Sequence, residues 1–430
     1  MTPKQQCAKY NSYVNSTHGC SNPILGADFE SVGYEFYYFC DSASKVKLSI
    51  SLQMIGIMVG AMSFGQLSDM FGRRAVLLFG TLGLIISGLV STFVNDLIAF
   101  TIARFFVMLF TGGKHSVSYV FMMENLPAKH RMWIVTVITY SPNYILFTAL
   151  AYLTGEWRLL SRVVALLTIL PGILLVFAYE SPRWLIQKGN IDDARLAFVG
   201  MGRWDDKNTP ERLQELDLLL DKERERLREA TGKPKTNYTY YHLFSNKSFA
   251  SYSILFAYSL CVRGNTNTSS TLRLICRMVT SIISYGLVFN MEKLSGSIYL
   301  NTIIVGSLRY TINLICAVID IKFTWAGRRL LHGFSMLFIA LSLGLVFFII
   351  LFGNFQTIIR ITALSAAAMC SQIYILNAVT PSELFPTAIR NKEIGFIQTF
   401  NRIGNIIAPQ IFVIVRIIFL FSYNFNSAKK

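Results

Sequence analysis

Residues 48–74 read LSISLQMIGIMVGAMSFGQLSDMFGRR. From Leu48 to Ser68 there is no charged side chain, and a run of about 20 such residues is long enough to cross the hydrocarbon core of a bilayer as one α-helix. Then the charges arrive together: Asp69, then Gly72, then Arg73 and Arg74. A long apolar helix closed by a compact charged turn reads as a membrane span with its loop.

Similar stretches recur on both sides of this one. Spans are expected near 48–68, 75–95, 98–123, 133–154 and 160–179, and again near 274–290, 300–321, 330–352, 356–380 and 394–422. That makes ten spans in two sets of five. The composition agrees. Of 430 residues, 53% are hydrophobic and only 15% charged, against roughly 25% charged in soluble domains. Mean hydropathy is +0.45. Disordered, collagenous and disulfide-framework chains are excluded. Span length and short connectors favour helices over barrel strands, so the expected fold class is an all-α, multi-pass membrane protein with the lipid bilayer as its first partner.

Five regions follow from this pattern. Residues 1–47 are polar and precede the first span. Residues 48–186 hold the first set of spans, residues 187–247 are a polar interval, residues 248–273 are ambiguous, and residues 274–430 hold the second set. Within the ambiguous part, 249–262 is apolar but short. Lys and Arg gather in the short loops on the cytoplasmic side of a membrane. The groups at Arg73–Arg74, Lys129–Arg131, Arg183, Arg328–Arg329 and Arg390–Lys392 all fall on one side only if 249–262 does not cross, so a surface or re-entrant segment is expected there. The net charge of +16 belongs to the spans and their connectors, because the acids and bases of the polar interval nearly balance. It marks topology rather than nucleic-acid binding.

With that orientation residues 1–47 lie outside the cell, where Asn15-Ser16-Thr17 makes Asn15 a glycosylation acceptor. Cys7, Cys20 and Cys40 cannot all pair with one another. The first apolar stretch starts only near residue 48 and serves as the first insertion signal. In the polar interval, Thr209-Pro210 reads as an N-cap followed by Pro at the first helical position. Leu213, Leu216, Leu220 and Leu227 follow at helical spacing, and Gly232 and Pro234 end the pattern. This predicts an amphipathic cytoplasmic helix joining the two sets.

An internal repeat ties the two sets together. Glu124-x-x-Pro127-x-x-x-Arg131 recurs as Glu383-x-x-Pro386-x-x-x-Arg390, and Asp69 with Gly72-Arg73-Arg74 recurs as Asp320 with Gly327-Arg328-Arg329. Copies in the same orientation, each following an equivalent span, are the mark of transporters built from two related bundles with a substrate site at the bilayer midplane between them. Opposite charges at these turns can latch neighbouring helices in one state and release them in another.

The stretch Gly65-Gln66-Leu67-Ser68-Asp69-Met70-Phe71-Gly72-Arg73-Arg74 resembles the loop signature of the major facilitator superfamily. Glu180-Ser181-Pro182-Arg183-Trp184-Leu185-Ile186, Tyr285-Gly286-Leu287, Ser295-Gly296-Ser297-Ile298-Tyr299-Leu300 and Glu383-Leu384-Phe385-Pro386-Thr387-Ala388-Ile389-Arg390-Asn391 resemble its organic cation, anion and carnitine carriers. The resemblance implies a two-bundle helical transporter from which this chain lacks the first and last of twelve helices. It also implies a small organic ion as substrate and a plasma-membrane location. Arg309 stands where that family usually has an acid. Asn401-Arg402-Ile403-Gly404 matches a position where cation carriers tend to have Asp and anion and carnitine carriers tend to have Arg.

Ionisable groups inside spans are site candidates by default. Lys114, Arg309 and Arg402 are such groups, whereas Arg360 and Arg416 lie nearer span ends, where they can snorkel. With few intramembrane acids to neutralise them, they favour an anionic or zwitterionic ligand. An organic cation is the alternative, and a non-transporting membrane protein acting on a full-length relative is a third reading. Tyr119, Tyr285, Tyr374 and Phe396 are candidates to line the cavity. Nothing points to an enzyme, a metal or a cofactor: Gly112-Gly113-Lys114-His115 lacks the spacing of a phosphate-binding loop, and His18, His115, His130, His242 and His332 are scattered. A homo-oligomer is compatible with the sequence.

Overall fold

The computed structural model describes residues 29–38, 42–126, 134, 142–204, 209–230, 281–288, 291, 294, 296–322, 328–352, 355–384, 399 and 401–410. Asn15, Arg131, Arg390, Phe396, Arg416 and the segment 248–273 lie outside them, as do the side chains of Asp320, Arg328, Arg329 and Glu383.

The first half begins with a single helical turn, α1 (Val32–Glu35). Three long helices follow: α2 (Ala43–Phe71), α3 (Arg73–Val90) and α4 (Leu97–Asn125). Next come α5 (Pro142–Thr154), α6 (Trp157–Leu167) and α7 (Ile169–Phe177). The last two form one apolar run interrupted at Thr168, three residues before Pro171, whose missing N–H cannot join the helical ladder. Seven described helical stretches are long and apolar enough to cross a membrane: Ala43–Phe71, Arg73–Val90, Leu97–Asn125, Trp157–Phe177, Ile298–Ile319, Leu330–Phe352 and Gln356–Leu376. The expected spans at 133–154, 274–290 and 394–422 fall partly outside the described residues.

After α7 the chain turns through α8 (Pro182–Lys188), α9 (Ile191–Trp204) and α10 (Pro210–Ala230). Ser181 caps α8 by accepting the Trp184 N–H, and Pro182 opens it. Gly189, at φ +88°, ends it, a backbone shape that glycine adopts without steric cost. Helix α10 starts at the proline that sequence places there, but α9 had no sequence signal singled out for it. The two helices are joined by Arg195–Asp217 and Arg224–Asp192 ion pairs, each 2.6 Å.

The second half contains α11 (281–288), α12 (Ile298–Lys322), α13 (Arg328–Phe352), α14 (Gln356–Leu384) and α15 (401–410). The repeated sequence pattern falls at equivalent backbone positions in the two halves. Arg73 opens α3 and Arg328 opens α13; Glu124 sits at the end of α4 and Glu383 at the end of α14.

Packing follows the small residues. In lipid there is little hydrophobic gain in bringing apolar helices together, so close approach of backbones is what holds them. On α2, Gly56 and Gly60 lie one turn apart against α4. A Cβ built on Gly60 would sit 1.9 Å from the Leu109 carbonyl oxygen, and one on Gly112 would sit 2.3 Å from that of Ile57. Above this contact Phe64, Val76, Leu77 and Val117 form the first half's core. In the second half Ala366, Ala367 and Ala368 on α14 are fully buried, and Ile339, Met369, Cys370 and Ile373 pack beside them. The side chains left exposed are mostly apolar, among them Leu170, Leu174 and Phe177 on α7 and Phe347, Phe348 and Phe352 on α13. Such a surface suits acyl chains.

The halves meet toward the end of the bundle marked by Trp157. Ser51 on α2 donates to the Ile406 carbonyl and accepts from Gln410, at 2.9 and 3.0 Å. Tyr152 and Tyr299 stack edge-on with centroids 5.5 Å apart. Residues 29–38 fold onto the same end: Glu30 donates to the Gly155 carbonyl and accepts from the Trp157 N–H.

Candidate functional site

A cavity of about 310 Å³ lies between the halves. The first half contributes Ile57 from α2, Thr111, Gly112 and His115 from α4, and Tyr144 from α5. The second half contributes Ser284, Tyr285, Val288, Arg309, Ser371, Tyr374, Asn401, Arg402 and Asn405. The sequence candidates Arg309, Arg402, Tyr285 and Tyr374 are therefore brought together. Lys114 and Tyr119 are not in the lining. The Lys114 Cβ lies toward α3, 3.8 Å from where Gly80 would carry a Cβ, and Tyr119 stands four residues further along α4 than His115.

The cavity is cationic. Arg309 is 5% exposed; its Nη2 donates to the Ala367 carbonyl at 3.3 Å, and its guanidinium lies 4.6 Å from the centre of the Tyr144 ring. Arg309 Nε, Arg402 Nε and Asn405 Oδ1 are buried and find no hydrogen-bond partner among the described residues. Among the described residues no carboxylate appears in the lining. A buried guanidinium left short of acceptors costs free energy unless something supplies them. A ligand carboxylate does so, and bidentate geometry suits it.

A string of hydroxyl and amide groups braces this wall. Tyr374 donates to Ser281 Oγ at 3.3 Å, and Ser281 donates to Asn401 Oδ1 at 3.4 Å. Three helices, α14, α11 and α15, are thus tied beside Arg402. Ser371 reaches Asn313 Oδ1 at 3.1 Å. Sequence reading missed His115, Tyr144, Asn401 and Asn405 as lining residues. For three of them the available signal was helical register with residues already chosen, since His115 adjoins Lys114, Asn401 adjoins Arg402 and Asn405 follows Asn401 by one turn, whereas nothing chosen on α5 pointed to Tyr144.

The second cluster is at the opposite end of the bundle from Trp157. Arg73 is buried, 1% exposed, between Asp69 at 3.0 Å and Glu124 at 3.1 Å, and its Nη1 donates to the Ser68 carbonyl at 2.7 Å. Gly72 precedes α3 with φ +102° and has no side chain to cap it. Glu180 takes that role from the end of α7: its carboxylate accepts the backbone N–H groups of Arg73 and Arg74, each at 3.0 Å, and of Ser181 at 2.9 Å. Trp184 Nε1 donates to the Asp69 carbonyl at 3.2 Å, and Arg74 donates to the Val176 carbonyl. Gly65 closes no contact; a Cβ there would meet open space. Arg183 is exposed. The motif residues Asp69, Gly72, Arg73, Arg74, Glu124 and Glu180 are thus one network linking α2, α3, α4 and α7.

At the Trp157 end Glu35 accepts from Trp157 Nε1 at 2.6 Å and from Arg158 Nε at 2.9 Å. Arg158 also donates to the Thr92 and Val94 carbonyls. These contacts hold Glu35 below its ordinary pKa of 4.5, the Arg158 hydrogen bond being the largest cause. Neither residue had been singled out from sequence.

Residues 3–419 match the model of the sugar (and other) transporter family. The chain belongs to that family. It is a multi-pass membrane transporter with the major facilitator fold, as the sequence motifs implied, and the family is one of transporters, not of enzymes. It is 28% identical over 418 residues to an organic cation transporter-like protein of Drosophila melanogaster, covering 92% of this chain and 67% of the relative. To solute carrier family 22 member 15 of Xenopus tropicalis it is 26% identical, covering 93% and 70%. Among solved structures, the proton:xylose symporter XylE of E. coli superposes with a TM-score of 0.66 at 18% identity, over 89% of this chain and 82% of that one.

Proposed function

We propose that this transporter carries small organic ions across the plasma membrane by alternating access, with organic anions or zwitterions favoured. The observation that carries the reading is the cavity itself: two guanidiniums, Arg309 and Arg402, whose Nε atoms have no partner and which meet no lining carboxylate among the described residues. The names of the relatives support an organic ion as substrate. Tyr144, Tyr285 and Tyr374 suit a flat organic body. Rocking of the two halves exposes the cavity to each side in turn. The Asp69–Arg73–Glu124 network, with Glu180 capping α3, is the latch of the end that the basic loops place in the cytoplasm, and the equivalent residues Asp320, Arg328, Arg329, Glu383 and Arg390 serve the second half.

A cation substrate is the competing reading, favoured by the names of two Drosophila relatives. Uptake into proteoliposomes separates them. Arg402→Asp removes one cation and adds an acid, and is expected to shift preference from benzoate toward tetraethylammonium. Unchanged selectivity in that variant would defeat the assignment of Arg402.

A further inference from the structure

We infer that a second anion site lies at the Trp157 end of the bundle, where the Arg104 guanidinium holds the carboxylate of an organic anion one step before it reaches Arg402. The inference rests on the anion reading of the central cavity. A separate cavity of about 480 Å³ lies at that end, walled by the 29–38 segment, by Lys47 and Gln53 on α2, Phe100 and Arg104 on α4, Trp157 at the start of α6 and Pro409 on α15. Both halves therefore contribute to it, as they do to the central cavity.

Three helices set the two cavities in line. Gln53 precedes Ile57 by one turn of α2, Arg104 precedes Thr111 by about two turns of α4, and Pro409 follows Asn405 by one turn of α15. The first residue of each pair lines the outer cavity and the second lines the central one. At 1.5 Å per residue the offset is about 6–10 Å along the bundle, a step that one small anion covers in passing from Arg104 to Arg402 and Arg309. Arg104 is inside a span, where an ionisable side chain is a site candidate by default. Its Nε is buried and finds no hydrogen-bond partner among the described residues. Its guanidinium lies 5.8 Å from the centre of the Phe100 ring, which attracts the charge but offers no lone pair to the N–H groups. A carboxylate does offer them, accepting side by side from Nε and a neighbouring Nη. Phe100 and Trp157 give the organic body of such an anion apolar surface to lie against.

The test is equilibrium dialysis of the purified full chain against labelled benzoate, which counts anions bound per chain at saturation. Wild type is expected to bind two, Arg104→Gln one and Arg402→Gln one. Should Arg104→Gln fail to fold, Gly33→Trp is read instead. Gly33 lines the outer cavity, and a Cβ there meets nothing closer than 3.8 Å, so an indole from this position fills the site without replacing Arg104; it too is expected to bind one. A count in Arg104→Gln, or in Gly33→Trp where that variant is read, equal to the wild-type count overturns the inference and leaves the anion reading standing. A single benzoate lost in Arg104→Gln and kept in Arg402→Gln upholds the outer site and removes the central one. Benzoate that does not bind at all sinks both.

Discussion

Glu180→Ala removes the acceptor of three backbone N–H groups, two of them at the first turn of α3. Nothing local can replace it. Gly72 has no side chain, and its φ of +102° is a conformation that a capping Ser or Asp would adopt only under strain. Loss of a neutral cap costs about 0.5–2 kcal/mol. A carboxylate cap makes charge-assisted bonds roughly twice as strong and also faces the positive end of the helix dipole. A loss of about 2 kcal/mol is therefore expected, which at roughly 2–4 °C per kcal/mol lowers the midpoint of heat inactivation in detergent by about 4–8 °C. Glu180→Gln keeps a neutral acceptor oxygen and should recover about half of that. The assay is retention of monodisperse protein after heating, compared across the three proteins. An alanine variant as heat-resistant as wild type, or a glutamine variant no better than alanine, would refute the capping role.

Gly60→Leu should be more damaging than Gly65→Leu, because a Cβ at residue 60 lands 1.9 Å from the Leu109 carbonyl while one at 65 meets nothing. Overpacking of this kind costs about 1–3 kcal/mol or more, and comparison of expressed folded protein checks it. Glu35 is held below its ordinary pKa by Arg158 and Trp157. The stability it contributes is present above about pH 4.5 and is lost as pH falls through its lowered folded value, so Glu35→Gln should flatten the acid limb of a stability–pH profile. Cysteines replacing Tyr152 and Tyr299, whose rings meet across the halves, should permit a short thiol crosslinker to hold the Trp157 end shut and stop uptake. Full uptake after complete crosslinking would show that this end need not open.

The seven described spans were legible because lipid leaves a coarse signal: about 20 uncharged residues and a charged turn. The loop network was legible for a related reason. Its residues lie within a few positions of one another or repeat at matching offsets, so Asp69, Arg73 and Glu124 could be chosen from spacing alone. Glu180 was chosen by resemblance, and its capping of a helix over a hundred residues earlier is a long-range contact that no local pattern encodes. The cavity was half legible. Arg309 and Arg402 stand out because charge in a span is costly, but Lys114 stands out equally and is outside the lining. Which face of α4 meets the cavity depends on where Gly56, Gly60 and Gly112 let α2 and α4 close together, and that contact is tertiary. His115, one residue from Lys114, was passed over because a lone histidine in a span gives no sign of its direction. Glu35 and Arg158 were missed because their link joins a short polar segment to the start of a distant helix.

Uptake of labelled benzoate, betaine and tetraethylammonium into proteoliposomes containing only this protein bears most directly on the central claim. A cavity lined by Arg309 and Arg402, with no carboxylate among its described residues, predicts saturable accumulation of benzoate or betaine well above that of tetraethylammonium. Tetraethylammonium accumulating in preference to both would contradict it.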